Sequence, residues 1–248
     1  MTHHPTAAII VAHGQPSEPG PPEATLAEFA SHVAQTLPGW QVTSATLANP
    51  GALDAALADS PENPLIYPMF MSQGWFTQTH LINRLGDHAA RVALPFGVDP
   101  GLPDMADALL RGVLAEQGWR AEDTQLFLAG HGSGRSPNAA RDTYAFAEAL
   151  ADRIQFSEQR VGFVEQPPHL EDAAAGLSAQ SICLPFFAAK LGHVIDDIPE
   201  ALNSTGFAGI RLDPVGCAPM APALVSAALL RANQDQSAVQ TSPHLLKD

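Results

Sequence analysis

The chain has 248 residues, 46% of them apolar, and a formal net charge of −14. That acidity argues against a nucleic-acid partner, which needs clustered Lys and Arg, and no apolar run is long enough to span a membrane, so no membrane partner is expected. The two cysteines, Cys183 and Cys217, form no CxxC pair, and Cys183 lies inside an apolar run, which predicts a buried, reduced thiol.

The N-terminus has no basic segment leading into a long apolar core, so the expected location is cytoplasmic. A compact apolar run over 7–12 predicts a strand. Residues 15–22, with Pro16, Pro19, Gly20, Pro21 and Pro22, predict an irregular, stiff loop. Leu26, Phe29, Val33 and Leu37 then recur at helical spacing over 23–37. Strands are predicted over 42–47, 65–70 and 91–96, separated by helices near 53–57, 81–90 and 105–114. The order then repeats, with strands near 125–129, 160–164, 181–187 and 209–212, and helices near 139–153, 170–177, 194–202 and 219–232. Such alternation predicts an α/β fold of two tandem, similar, doubly wound parallel-sheet halves with a cleft between them. The halves are expected at 1–120 and 121–232, followed by a polar tail over 233–248 that lacks periodicity.

The repeat is visible in the residues. Val11-Ala12-His13-Gly14 and Ala129-Gly130-His131-Gly132 each end an apolar run, at a shift of 131 − 13 = 118. The same shift carries Pro50 to Pro168, Asp54 to Asp172 and Gly74 to Gly192. It sets His131, Glu165 and His193 opposite His13, Leu47 and Trp75, so the second half alone has three groups that could hold a metal. Each follows a predicted parallel strand, where ligands of open α/β sheets bind. Two imidazoles and a carboxylate suit cobalt, iron, nickel or zinc and leave coordination positions open. The same groups can accept protons. A single histidine at a strand end is as often an ordinary loop residue, and it is the coincidence of three that points to a site.

Around Ser133, the glycines of Gly130-His131-Gly132-Ser133-Gly134 would let backbone N–H groups approach a carboxylate. The segment is neither the G-x-S-x-G elbow nor a P-loop. Trp75 and Phe76 suit stacking on a flat ligand or core packing about equally. The participation of His13 and His80 is left open.

At Leu128–Gly132, at Phe163-Val164-Glu165 with Pro168, at Pro185-Phe186-Phe187, and above all at Gly192-His193-Val194-Ile195-Asp196-Asp197-Ile198-Pro199-Glu200, the chain resembles the class II tetrapyrrole chelatases, the sirohydrochlorin cobaltochelatase and ferrochelatase family. The resemblance spans roughly residues 7–230. It implies a lyase of siroheme or cobalamin biosynthesis, one that inserts cobalt(II) or iron(II), with nickel(II) a further candidate, into sirohydrochlorin or a related tetrapyrrole without ATP. It implies no organic cofactor, the metal being substrate, and a homodimer is a further expectation. By position it assigns metal binding and pyrrole deprotonation to His131, Glu165 and His193. It further implies that His13, Trp75, Phe76, Ser133, Arg135 and Lys190 meet the macrocycle, with Arg135, Arg141 and Lys190 as the cations nearest the motifs for a ring carrying carboxylates. The alternative is a non-catalytic metal- or tetrapyrrole-binding protein of the same fold.

Overall fold

The computed structural model describes residues 6–134, 137–234 and, for the backbone, 240–241. The chain divides into two compact units, Met1–Asp99 with Pro222–Asp248, and Pro100–Ala221.

The first unit holds strands β1 (Thr6–Ala12), β2 (Trp40–Thr46), β3 (Leu65–Pro68) and β4 (Arg91–Val92), with helices α1 (Gly20–Gln35), α2 (Ala52–Ala58) and α3 (Leu81–Leu85). A π-helical turn, Phe76–His80, leads into α3. Helix α4 (Leu102–Gln117) opens the second unit. There β5 (Gln125–Gly130), α5 (Asn138–Ala151), β6 (Glu158–Phe163), α6 (Leu170–Ala174), β7 (Ser181–Pro185), α7 (Gly192–Ile195), α8 (Asp197–Ser204) and β8 (Ile210–Arg211) repeat the order. Helix α9 (Ala221–Gln234) and strand β9 (Gln240–Thr241) return to the first unit.

The sheets run β2-β1-β3-β4-β9 and β6-β5-β7-β8, parallel throughout except for β9, which pairs antiparallel with β4. The apolar runs become central strands because both faces are covered: Ile9–Val11 and Leu126–Ala129 are fully buried. Ile9, Val11, Leu53, Ile66, Leu81 and Leu85 form a core in one unit, and Phe127, Ala129, Cys183, Ile198 and Leu202 form one in the other. Burial pushes the Cys183 thiol up to about 12, so the expected buried thiol is found and is inert.

Several boundaries differ from the sequence expectation. Pro21 and Pro22 lie in the first turn of α1, where the missing N–H would have no helical partner anyway. The strand expected over 91–96 stops at Val92, since Pro95 cannot donate to a ladder and Phe96–Val98 turns as a 3-10 segment. The helix expected over 194–202 breaks at Asp196, because Pro199 removes the bond to the Ile195 carbonyl and its ring crowds that turn. The expected polar tail begins inside α9 and includes β9, its other residues lying outside the described ones.

The division into units also departs from a break at residue 120. The two closing helices of the repeat, α4 and α9, are exchanged between the units. In the second unit, Arg153 of the α5–β6 connection pairs with Asp104 of α4 at 2.5 Å, and Arg111 of α4 donates to the Arg153 carbonyl at 2.8 Å. In the first, Ser226 of α9 meets Thr36 at 2.5 Å, and Arg231 grips the buried Asp99 carboxylate with contacts of 2.7 and 2.9 Å. Removing that guanidinium takes a cationic partner from a buried carboxylate. Arg231→Ala is expected to cost about 2–3 kcal/mol, less than a fully buried pair because Arg231 is half exposed. A lowered urea midpoint would bear this out, and an unchanged one would show that Asp99 does not need the pair.

Candidate metal centre

In the second unit, β5 lies between β6 and β7, so the segments leaving their C-terminal ends share one edge of the sheet. His131 follows β5 and Glu165 follows β6; the Glu165 N–H donates to the His131 carbonyl at 3.0 Å, which locks the two loops together. Gly132 turns the chain at φ 68°, and a Cβ there would lie 2.7 Å from Gln166 Cγ and 2.9 Å from Phe163 Cβ, so only glycine fits. His193 opens α7 after the loop from β7.

One atom from each of His131, Glu165 and His193 can be chosen so that all lie within 4.8 Å of one another, near enough that small side-chain movements could bring them onto one ion. The two imidazoles stand edge to face, centroids 4.6 Å apart at 89°, and Glu165 Oε2 is 4.0 Å from His131 Nδ1. His131 Nδ1 lies 3.0 Å from the Gly132 carbonyl, and His193 Nδ1 lies 2.9 Å from Asp197 Oδ2. Both acceptors call for a proton on Nδ1, which leaves both Nε2 lone pairs to bind a metal. All three side chains are partly exposed, at 40–48%.

The first unit carries the same scaffold with only the first of the three groups, His13. Leu47 and Ala48 donate to the carbonyls of Ala12 and His13 at 2.9 Å each, as Val164 and Glu165 do to Gly130 and His131. Thr77 and Gln78 donate to Gly74, as Val194 and Ile195 do to Leu191. These bonds fix the equivalence: 165 − 48 = 117 and 193 − 76 = 117, against 131 − 13 = 118. The partners of Glu165 and His193 are therefore Ala48 and Phe76, not the Leu47 and Trp75 that a uniform shift of 118 suggests. The stretch from the histidine to the second position is one residue shorter in the second unit. Phe76 stands edge-on to His13 at 4.8 Å and 81°, in the place of His193 against His131.

Trp75 is 59% exposed and Phe76 is 39% exposed, so neither is core. His80 stacks on Trp75 at 4.9 Å and meets Phe76 edge-on at 5.6 Å. The result is an aromatic surface beside His13. Lys190 is ion-paired with Asp213 at 2.5 Å, which raises its pKa and keeps it charged. Arg141 pairs with Asp142 at 3.0 Å. Ser133 is held through its N–H by Gln166 Oε1 at 2.9 Å. Arg135 lies outside the described residues. Asp197 was not singled out from the sequence, although His193-x-x-x-Asp197 has the i,i+4 spacing of facing side chains.

Among known proteins, the CbiX family matches residues 125–243. A solved CbiX, described as the terminal enzyme for biosynthesis of siroheme in denitrifying bacteria, is 42% identical, covers 91% of this chain and 99% of its own, and superposes with a TM-score of 0.84. SirB from Bacillus subtilis, solved with Fe3+, shares the fold at 14% identity, with 95% of this chain and 99% of that one covered and a TM-score of 0.72. A probable sirohydrochlorin cobaltochelatase of Halobacterium salinarum is 23% identical over 162 residues, 54% of this chain and 55% of that protein, so the match spans about half of that relative's length.

The geometry makes a direct demand on binding. Cobalt(II) titrated into the protein is expected to bind with a stoichiometry of one, His131→Ala and His193→Ala each weakening it by about 100-fold or more, since loss of a direct ligand exceeds the 10- to 100-fold of an outer-shell loss. His13→Ala is expected to leave the affinity unchanged. Equal loss in all three variants would place the ion elsewhere.

Proposed function

The chain belongs to the CbiX family of class II tetrapyrrole chelatases, and on that footing we propose that it is a lyase that inserts cobalt(II) or iron(II) into sirohydrochlorin, using His131, Glu165 and His193 to hold the ion and accept the pyrrole protons. The observation that carries the assignment is the convergence of these three side chains at one sheet edge, set against a second copy of the scaffold that has Ala48 and Phe76 in two of the three places.

The chemistry follows from what insertion requires. The ion must be held firmly enough to be captured, yet give up its protein ligands as four ring nitrogens replace them. Three protein ligands leave positions open for the first pyrrole nitrogens. Imidazole and carboxylate together accept several first-row ions, so a set of this kind takes cobalt, iron or nickel according to supply. Two N–H protons must leave the ring as the ion enters, and a base has to lie beside the ion to take them. Glu165 fills that place: it is 48% exposed and 4.0 Å from His131. No step calls for ATP or an organic cofactor.

The macrocycle is flat, and the exposed rings of Trp75 and Phe76, with His13, offer it an aromatic surface. Sirohydrochlorin carries carboxylates, for which we assign Lys190, Arg135 and the backbone around Ser133. The Lys190–Asp213 pair is exposed on both sides and costs little to open. The same reading puts the work in the cytoplasm.

Anaerobic absorbance of sirohydrochlorin mixed with cobalt(II) or iron(II) tests the proposal. The protein is expected to accelerate spectral conversion over the metal-only control. Glu165→Gln is expected to lower kcat by about 10²- to 10⁴-fold, the usual contribution of a positioned base. Trp75→Ala is expected to raise KM by about 2- to 10-fold, the worth of an aromatic contact of about 0.5–1.5 kcal/mol, with cobalt affinity unaffected. A shifted spectrum without faster conversion would instead mark a tetrapyrrole-binding protein.

A further inference from the structure

His193 has a partner that the metal-site assignment does not use. Its Nδ1 lies 2.9 Å from Oδ2 of Asp197. The two residues belong to different helices, since the chain breaks at Asp196, where φ is −110° and ψ is −67°. Pro199 enforces that break by denying the Ile195 carbonyl its helical donor. Asp197 therefore starts a new helix with its carboxylate turned back to the ring, and the contact is not a by-product of one continuous helix.

The internal repeat gives an independent observation. At the equivalence of 117 residues that the backbone bonds fix, Asp197 corresponds to His80 and His193 to Phe76. In the first unit the ring of His80 meets the ring of Phe76 edge-on at 5.6 Å. The imidazole–carboxylate pair thus stands where the unit without the ligand set has an aromatic pair. Where the imidazole is absent, so is its carboxylate.

We propose that Asp197 is a positioning residue, which holds His193 in the tautomer with the proton on Nδ1 and so presents Nε2 to the incoming metal ion. This inference rests on the reading of His131, Glu165 and His193 as the metal site. A carboxylate can only accept, so it selects the Nδ1–H form, raises the basicity of Nε2 and fixes the plane of the ring. For His131 the Gly132 carbonyl, 3.0 Å from Nδ1, does the same from the main chain. His193 is the second residue of a four-residue helix, and its Nδ1 meets the Asp197 carboxylate, so here a side chain takes the role. Asp197 also lines a cavity of about 180 Å³ with Phe163, Val164, Leu170, Glu171 and Glu200. Glu200 thus supplies a carboxylate on the same helix that is part of the same cavity wall and has no recorded bond to His193.

Asp197→Asn separates position from shape, because an amide of the same size can either accept from Nδ1–H or donate to a bare Nδ1. Long-range proton–nitrogen correlation on the metal-free, nitrogen-labelled protein, at a pH where the ring is neutral, reads the tautomer of His193 directly. The wild type is expected to show Nδ1–H alone, and Asp197→Asn a mixture or the Nε2–H form. Cobalt(II) affinity is expected to fall by about 10- to 100-fold in the variant, as for other outer-shell partners, while the thermal midpoint holds. Glu200→Gln is expected to keep both the tautomer and the affinity. An Nε2–H ring in the wild type overturns the proposal, and that measurement stands even if the variant fails to fold. A loss of affinity in Asp197→Asn with the tautomer unchanged overturns it too, since Asp197 would then act by charge alone. A wild type that holds Nδ1–H and yet binds no cobalt overturns the metal-site reading and leaves the positioning intact.

Discussion

Parallel pairing on both sides of β5 is the constraint on which the site depends. With β6 and β7 as its neighbours, in register from Gln125 opposite both Glu158 and Ser181, the segments that leave the three strands emerge together. His131 and Glu165 then stand side by side without any long-range coincidence, tied by the Glu165 N–H to His131 carbonyl bond. His193 joins them because the loop from Pro185 ends in a short helix at the same edge. A metal site needs ligands placed to within a fraction of an ångström, and a rigid sheet edge supplies that better than loops alone.

The same scaffold appears twice, and the comparison within the molecule separates fold from function. Strand order, crossovers and main-chain bonds at the strand ends recur in both units. His13 keeps even the 3.0 Å contact of Nδ1 with the following glycine carbonyl that His131 makes. What differs is chemical: Ala48 for Glu165, Phe76 for His193, His80 for Asp197. One copy brings together three groups that could hold an ion, while the other presents an exposed aromatic surface.

Much of this was legible in the sequence. The apolar runs and helical spacings gave eight strands in the right order, and the repeat of His-Gly gave the duplicated architecture. His131, Glu165 and His193 were named together because each follows a strand, and the structure brings them within reach of one ion. The sequence shows a slip of one, since Pro68-Met69-Phe70 maps onto Pro185-Phe186-Phe187 at 185 − 68 = 117, but it does not show where the slip falls. A uniform shift of 118 is carried by Pro50 and Gly74, which lie in turns or bends, and by Asp54 in α2, while single insertions are tolerated in the connections between elements. The second and third strands align at 117, which moves the counterparts of Glu165 and His193 by one residue. Also hidden was the exchange of α4 and α9 between units, since helical periodicity shows which face is buried and not against what. Asp197 was named only as part of the family motif, because its contact with His193 lies across a helix break that only Pro199 foretold.

The central claim is that the ion enters at the second unit through two imidazoles and one carboxylate. Anomalous scattering from crystals soaked in cobalt(II) tests this most directly. One strong peak is expected within bonding distance of His131 Nε2, His193 Nε2 and a Glu165 oxygen. A strong peak beside His13 and His80 instead, with none at His131, would contradict it.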